Sequence, residues 1–151
     1  MAGYSGTPLV KKLGIKPGAN IVFLNAPSGY VNELDLPSDV TLNSESGKPI
    51  DFAQLFVKDS RELKREFSQY AKRLNASGML WVSWPKKGSG VSTDLSENVV
   101  RDIGLAAGLV DVKVCAVNEV WSGLKFVFRL KDRPKLNPQE KPHRKVSTLK
   151  S

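Results

Sequence analysis

The sequence predicts an α/β protein, a small three-layer structure built on a mostly parallel sheet with an antiparallel hairpin at its C-terminal end. Three observations predict it. Short apolar runs, Ile21–Leu24 among them, are continuous rather than alternating, as in strands covered on both faces. Two amphipathic helical segments lie between such runs, which is the order that parallel sheets with helical crossovers require. The last two strands are separated by too few residues for a crossover, so they pair antiparallel.

The first element is a short helix. Thr7 caps it, Pro8 takes its first position, Leu9, Val10 and Leu13 face inward, and Gly14 ends it. The segment "KPGANIVFLNAPSGY" then reads as turn, strand, turn. Residues 40–43 form a weaker strand and residues 51–57 a better one. Residues 59–75 are the clearest helix. Asp59 and Glu62 make a capping box, and Leu63, Phe67, Tyr70 and Leu74 repeat at helical spacing, with Asn75 and Gly78 closing the segment. Residues 78–84 form the next strand, which Pro85 ends because it cannot donate to a ladder. Asp94 and Glu97 make a second capping box and open a helix through Leu95, Val99, Val100, Ile103 and Ala107, stopped by Gly108. Two strands follow around Ser122-Gly123, with Val110, Val112, Val114 and Ala116 alternating with Asp111, Lys113 and Cys115.

The chain has 151 residues and a net charge of +8, which suits one domain over residues 1–130. Residues 131–151 carry seven Lys and Arg against two acids, lack periodicity, and read as a disordered basic tail. One Cys, expected to be buried, and one His exclude both an intrachain disulfide and a His/Cys metal cluster. No stretch approaches the roughly 20 apolar residues of a membrane span, and no signal core is present, so a cytoplasmic protein is expected.

Candidate binding chemistry gathers where strands end. In open α/β sheets ligands lie beyond the carboxyl ends of the strands. There the sequence places Trp84, Lys86, Lys87, Ser89, Ser92 and Thr93, a run of lysines, glycines and hydroxyls leading to a helix start. The lysines precede the glycines and match no phosphate-loop spacing. Asn25 and Ser28 follow the first strand, where a dinucleotide fingerprint would need three spaced glycines. Trp81 is assigned to the core. Trp84 and Trp121, at strand ends, are expected to be half exposed and able to stack a ring. His143 lies in the tail, and no nucleophile, base and orienting group come together in the sequence.

The sheet pattern resembles a shortened Rossmann-like sheet of the sort seen in nucleotide-binding and methyltransferase-type proteins. The segments "WVSWPKK", "GLVDVKVCAV" and "WSGLKFV" resemble a bacterial domain-of-unknown-function family across nearly all of residues 3–130. That resemblance implies a bacterial, cytoplasmic setting and transfers no catalytic residue or cofactor. The leading expectation is therefore a non-catalytic Rossmann-like domain that binds an anionic small molecule or partner through Asn25, Ser28, Trp84, Lys86, Lys87, Ser89, Ser92, Thr93 and Trp121. One alternative is a nucleic-acid-associated protein using the basic tail with Lys64, Arg65, Lys72 and Arg73. The other is a diverged S-adenosylmethionine methyltransferase-like enzyme, which the absent glycine motif disfavours.

Overall fold

The computed structural model describes residues 8–42 and 48–130. The tail predicted over 131–151 lies outside the described residues. Helix α1 spans Leu9–Leu13, strand β1 Asn20–Leu24, helix α2 Tyr30–Glu33, strand β2 Thr41–Leu42 and strand β3 Ile50–Phe56. Helix α3 spans Ser60–Arg73, strand β4 Leu74–Pro85, helix α4 Glu97–Ala106, strand β5 Leu109–Ala116 and strand β6 Trp121–Phe128.

The six strands form one sheet in the order β2-β1-β3-β4-β6-β5. Strands β1 to β4 are parallel, and β6 lies antiparallel between β4 and β5. The mixed α/β sheet with its antiparallel hairpin is the fold class expected from the sequence. Helices α3 and α4 cover one face. There Leu63, Phe67 and Val100 pack with Leu55, Val82, Trp84 and Phe126. Helices α1 and α2 cover the other face, where Leu13 and Tyr30 pack with Phe52, Phe56 and Trp81. The Trp81 indole N–H donates to the Leu13 carbonyl at 2.9 Å, which ties α1 to the centre of the sheet.

Several local assignments change. Strand β4 starts at Leu74, directly from α3, because Leu74 pairs with Ile50 across a register shift that lies before Phe52↔Met79. Gly78 is therefore inside the strand, and a Cβ there would stand 2.8 Å from the Ile50 carbonyl oxygen. The hairpin turns at Val117–Val120 instead of Ser122-Gly123. The Asn118 side-chain oxygen accepts from the backbone N–H groups of Val120 and Trp121, both at 2.9 Å, and makes the turn. Gly123 is a strand residue whose absent Cβ leaves room for the Trp81 ring, 3.1 Å away. The alternation expected along β5 changes phase at a register shift between Asp111 and Lys113. Val112 and Val114 are exposed, and Cys115 is buried. Helix α4 is capped by Ser96, whose hydroxyl accepts from Val99 N–H, and not by Asp94. Helix α2 was not anticipated; Gly29, at φ 82°, starts it.

Among the described residues no helix is long and apolar enough to cross a membrane.

Candidate functional site at the sheet's switch point

Strand order fixes where a crevice opens. From β1 the chain crosses to β2 on one side, while β3 and β4 lie on the other. The order therefore reverses between β1 and β3, and their carboxyl ends part at that point. A pocket of about 400 Å³ opens there, lined by Asn25, Pro27, Phe56, Lys58, Glu62 and Trp121.

Each wall has a local cause. Leu24 pairs with Leu55, so Asn25 and Phe56 emerge side by side. Asn25 adopts φ 59°, a left-handed bend that Asn tolerates better than most residues. Its side-chain N–H donates to Glu62 Oε2 at 3.2 Å. Glu62 lies in the first turn of α3, and its Oε1 accepts from Lys58 N–H at 3.3 Å. Trp121 begins the antiparallel β6 opposite Pro85, so it stands at the same edge as the carboxyl end of β4. Its ring meets Phe56 edge to face at 5.1 Å, and Phe56 meets Tyr30 at 4.9 Å. The pocket thus has an aromatic wall and a polar rim.

Beneath it runs a buried polar relay. Tyr30 Oη donates to Gln54 Oε1 at 3.0 Å, and Gln54 Nε2 donates to Ser83 Oγ at 3.0 Å. Gln54 and Ser83 are fully buried. Burial pushes the Tyr30 hydroxyl well above its ordinary pKa of 10.0.

Of the residues nominated from sequence, the pocket unites Asn25 and Trp121. Ser28 is exposed on the turn before α2. Trp84, expected at half exposure, is buried at 5% and packs in the α3/α4 core: it alternates with Ser83 and so points to the opposite face from the pocket's aromatic cluster. The loop after β4 is engaged elsewhere. Thr93 Oγ1 donates to the Lys58 carbonyl at 2.6 Å, and Ser89 Oγ accepts from Val91 N–H. Lys86 is tied by its own N–H to the Val120 carbonyl, while Lys87 and Ser92 are exposed. Asp94 caps α3, accepting from the N–H and the hydroxyl of Ser60 at 2.8 and 2.9 Å. Pro27, Phe56, Lys58 and Glu62 were not nominated. Only the strand order brings Phe56, Lys58 and Glu62 together with Asn25, and that order is not written in any local motif.

Solved structures of similar architecture include S-adenosylmethionine-dependent methyltransferases. A methyltransferase dependent on that cofactor from Aquifex aeolicus superposes with a TM-score of 0.57 at 16% identity, covering 78% of this chain and 86% of its own. The fibrillarin pre-rRNA processing protein of Methanococcus jannaschii gives 0.56 at 12%, covering 83% and 70%. The magnesium protoporphyrin IX methyltransferase of Synechocystis, with S-adenosylmethionine bound, gives 0.53 at 12%, covering 80% and 74%. The fold resembles that of Rossmann-like methyltransferases. No family model and no curated protein matches the chain.

These likenesses overturn the expectation of a non-catalytic domain holding an anionic ligand and back the methyltransferase-like alternative. The geometry supplies a physical reason. Asp59, Glu62 and Asp94 surround the first turn of α3, and the carboxylates of Asp59 and Asp94 take its Glu62 and Ser60 amides. An incoming anion would meet negative charge there, and the helix start to which the lysine loop leads, that of α4, has its own cap in Ser96.

Proposed function

We propose that the protein is a diverged methyltransferase-like domain that binds S-adenosylmethionine in the pocket between β1 and β3. The observation that carries this reading is the position of the pocket, at the switch point of a sheet whose solved likenesses include S-adenosylmethionine-dependent methyltransferases.

The residues present fit such a ligand better than they fit a dinucleotide. A pyrophosphate is held by a glycine-rich turn and the amides of a long helix. Here the turn after β1 is Asn25–Gly29 and α2 has only four residues. S-adenosylmethionine has no phosphate and needs no such fan of amides. Its adenosyl group suits the Phe56 and Trp121 wall, where a ring can stack on a half-buried indole. When bound, the cofactor supplies an electrophilic methyl group on a sulfonium. The chain's part is to hold it away from water against Phe56 and to fix its polar end at the α3 rim.

A thermal-shift titration of the full chain tests the reading. S-adenosylmethionine and S-adenosylhomocysteine should each raise Tm with saturating concentration dependence, and Trp121→Ala should abolish the shift. No shift at about 1 mM, where linkage gives a measurable gain for any ligand of comparable Kd, would refute it.

A further inference from the structure

We propose that the groove between α3 and α4 is the face through which two copies of this chain pair, with α4 of each copy seated in the groove of the other. The inference is independent of the function proposed above, because the groove shares no residue with the switch-point pocket.

The groove has a volume of about 350 Å³ and is lined by Lys64 and Phe67 of α3 and by Asp102, Ile103, Ala106 and Ala107 at the C-terminal end of α4. Beside it Leu105, Ala106 and Ala107 are three consecutive exposed apolar residues, with Leu105 39% exposed. Such a run on a helix surface is out of place unless something covers it. Packing within the chain does not need it. Val99, Val100 and Ile103 pack into the core beneath α4, and Gly104 lies against Phe126. The apolar end of α4 is surplus to the fold.

The charges at the groove select its occupant. Lys64 stands on the α3 side and Asp102 on the α4 side, both exposed, and no ion pair of the described residues includes either. The fitting partner presents a carboxylate to Lys64, a cation to Asp102 and an apolar side chain to the lining between them. A second copy of the chain does all three. Asp102, Leu105 and Ala106 are spaced i, i+3 and i+4, so they share one side of α4. Laid in the groove of the other copy, that stripe sets Leu105 on the apolar lining while Asp102 meets the other copy's Lys64. A two-fold axis makes each contact twice, so both charges of both copies find a partner. Ala106 and Ala107 carry no bulk beyond Cβ, which lets the helix axes approach to about 8 Å, the near end of the usual range. The apolar contact supplies the attraction, and the exposed ion pairs set the register.

The test is analytical ultracentrifugation of the full chain, loaded from about 1 μM to about 1 mM, a range that spans the dissociation constants of moderate and weak interfaces. The wild type should rise from one chain mass toward two. Leu105→Glu should dissociate at least about tenfold more readily. Lys64→Glu and Asp102→Lys should each weaken the dimer about tenfold, because each substitution acts twice across the two-fold axis. The double variant Lys64→Glu with Asp102→Lys restores the pairing with its charges exchanged, and it should recover wild-type affinity. All three positions are exposed, and far-UV circular dichroism checks that the variants keep the fold. One chain mass throughout the wild-type range would overturn the proposal and leave the groove to a partner of other chemistry. Masses that grow beyond two chains, a Leu105→Glu variant that pairs as the wild type does, or a double variant no tighter than the single ones would overturn it as well.

Discussion

Gly104 offers a sharp test of how α4 sits on the sheet. A Cβ at this position would lie 2.0 Å from Phe126 Cε2 and 2.5 Å from Cζ. Phe126 has nowhere to go: it is fully buried and meets Phe67 edge to face at 5.1 Å. On an exposed helix, alanine in place of glycine would stabilise by about 1 kcal/mol. Here the overlap should cost about 3 kcal/mol, the upper end of the range for forcing one methyl into a packed core. The net expectation for Gly104→Ala is a loss of about 2 kcal/mol, or about 4–8 °C in Tm for a domain of this size. Differential scanning calorimetry reads it directly. Phe126→Leu in the same background should recover at least about 1 kcal/mol relative to the sum of the two single changes, as expected of residues in contact. An unchanged or raised Tm in Gly104→Ala would refute the close packing of α4 on β6.

Two further predictions concern the site. Tyr30→Phe removes the donor to Gln54 and should cost about 1–2 kcal/mol in urea unfolding at pH 8. The folded tyrosine keeps its proton above the ordinary pKa of 10.0 while the unfolded one ionises, so the wild type should lose stability as pH rises beyond that value. The variant's deficit should therefore shrink above pH 10 by about 1.4 kcal/mol per pH unit; a deficit that stays constant to pH 11 would contradict the buried relay. Acrylamide should quench chiefly Trp121, since Trp81 and Trp84 are 0% and 5% exposed. Trp121→Phe should remove most of the quenchable fluorescence, and S-adenosylhomocysteine should protect it in the wild type.

The sequence carried the architecture well because the architecture is local. Continuous apolar runs gave the parallel strands, the Asp59 and Glu62 pair gave the start of α3, and a short connection gave the β5–β6 hairpin. The misplacements arose where a long-range contact overrode a local signal. Ser122-Gly123 looked like a turn, but the glycine serves the Trp81 ring across the sheet. Asp94 and Glu97 had the spacing of a capping box, yet Asp94 reaches 34 residues back to cap α3. Trp84 was placed at a strand end, where its side chain could have faced either way, and the pleat turned it into the core.

The candidate site was half legible for the same reason. Asn25 and Trp121 stand at strand ends that sequence can locate. Phe56, Lys58 and Glu62 join them only because β3 lies next to β1, and strand order is a property of the whole chain. The lysine loop after β4 stands out by composition, while the hydroxyls of Ser89 and Thr93 and the carboxylate of Asp94 serve the protein's own backbone.

Amide and indole chemical-shift mapping of the full chain with S-adenosylhomocysteine tests the central claim most directly. The account predicts saturable shifts at Asn25, Lys58, Glu62 and the Trp121 indole N–H, with the Trp84 indole little changed. Shifts confined to the groove lined by Phe67 and Ile103 between α3 and α4, or no shifts at all, would contradict it.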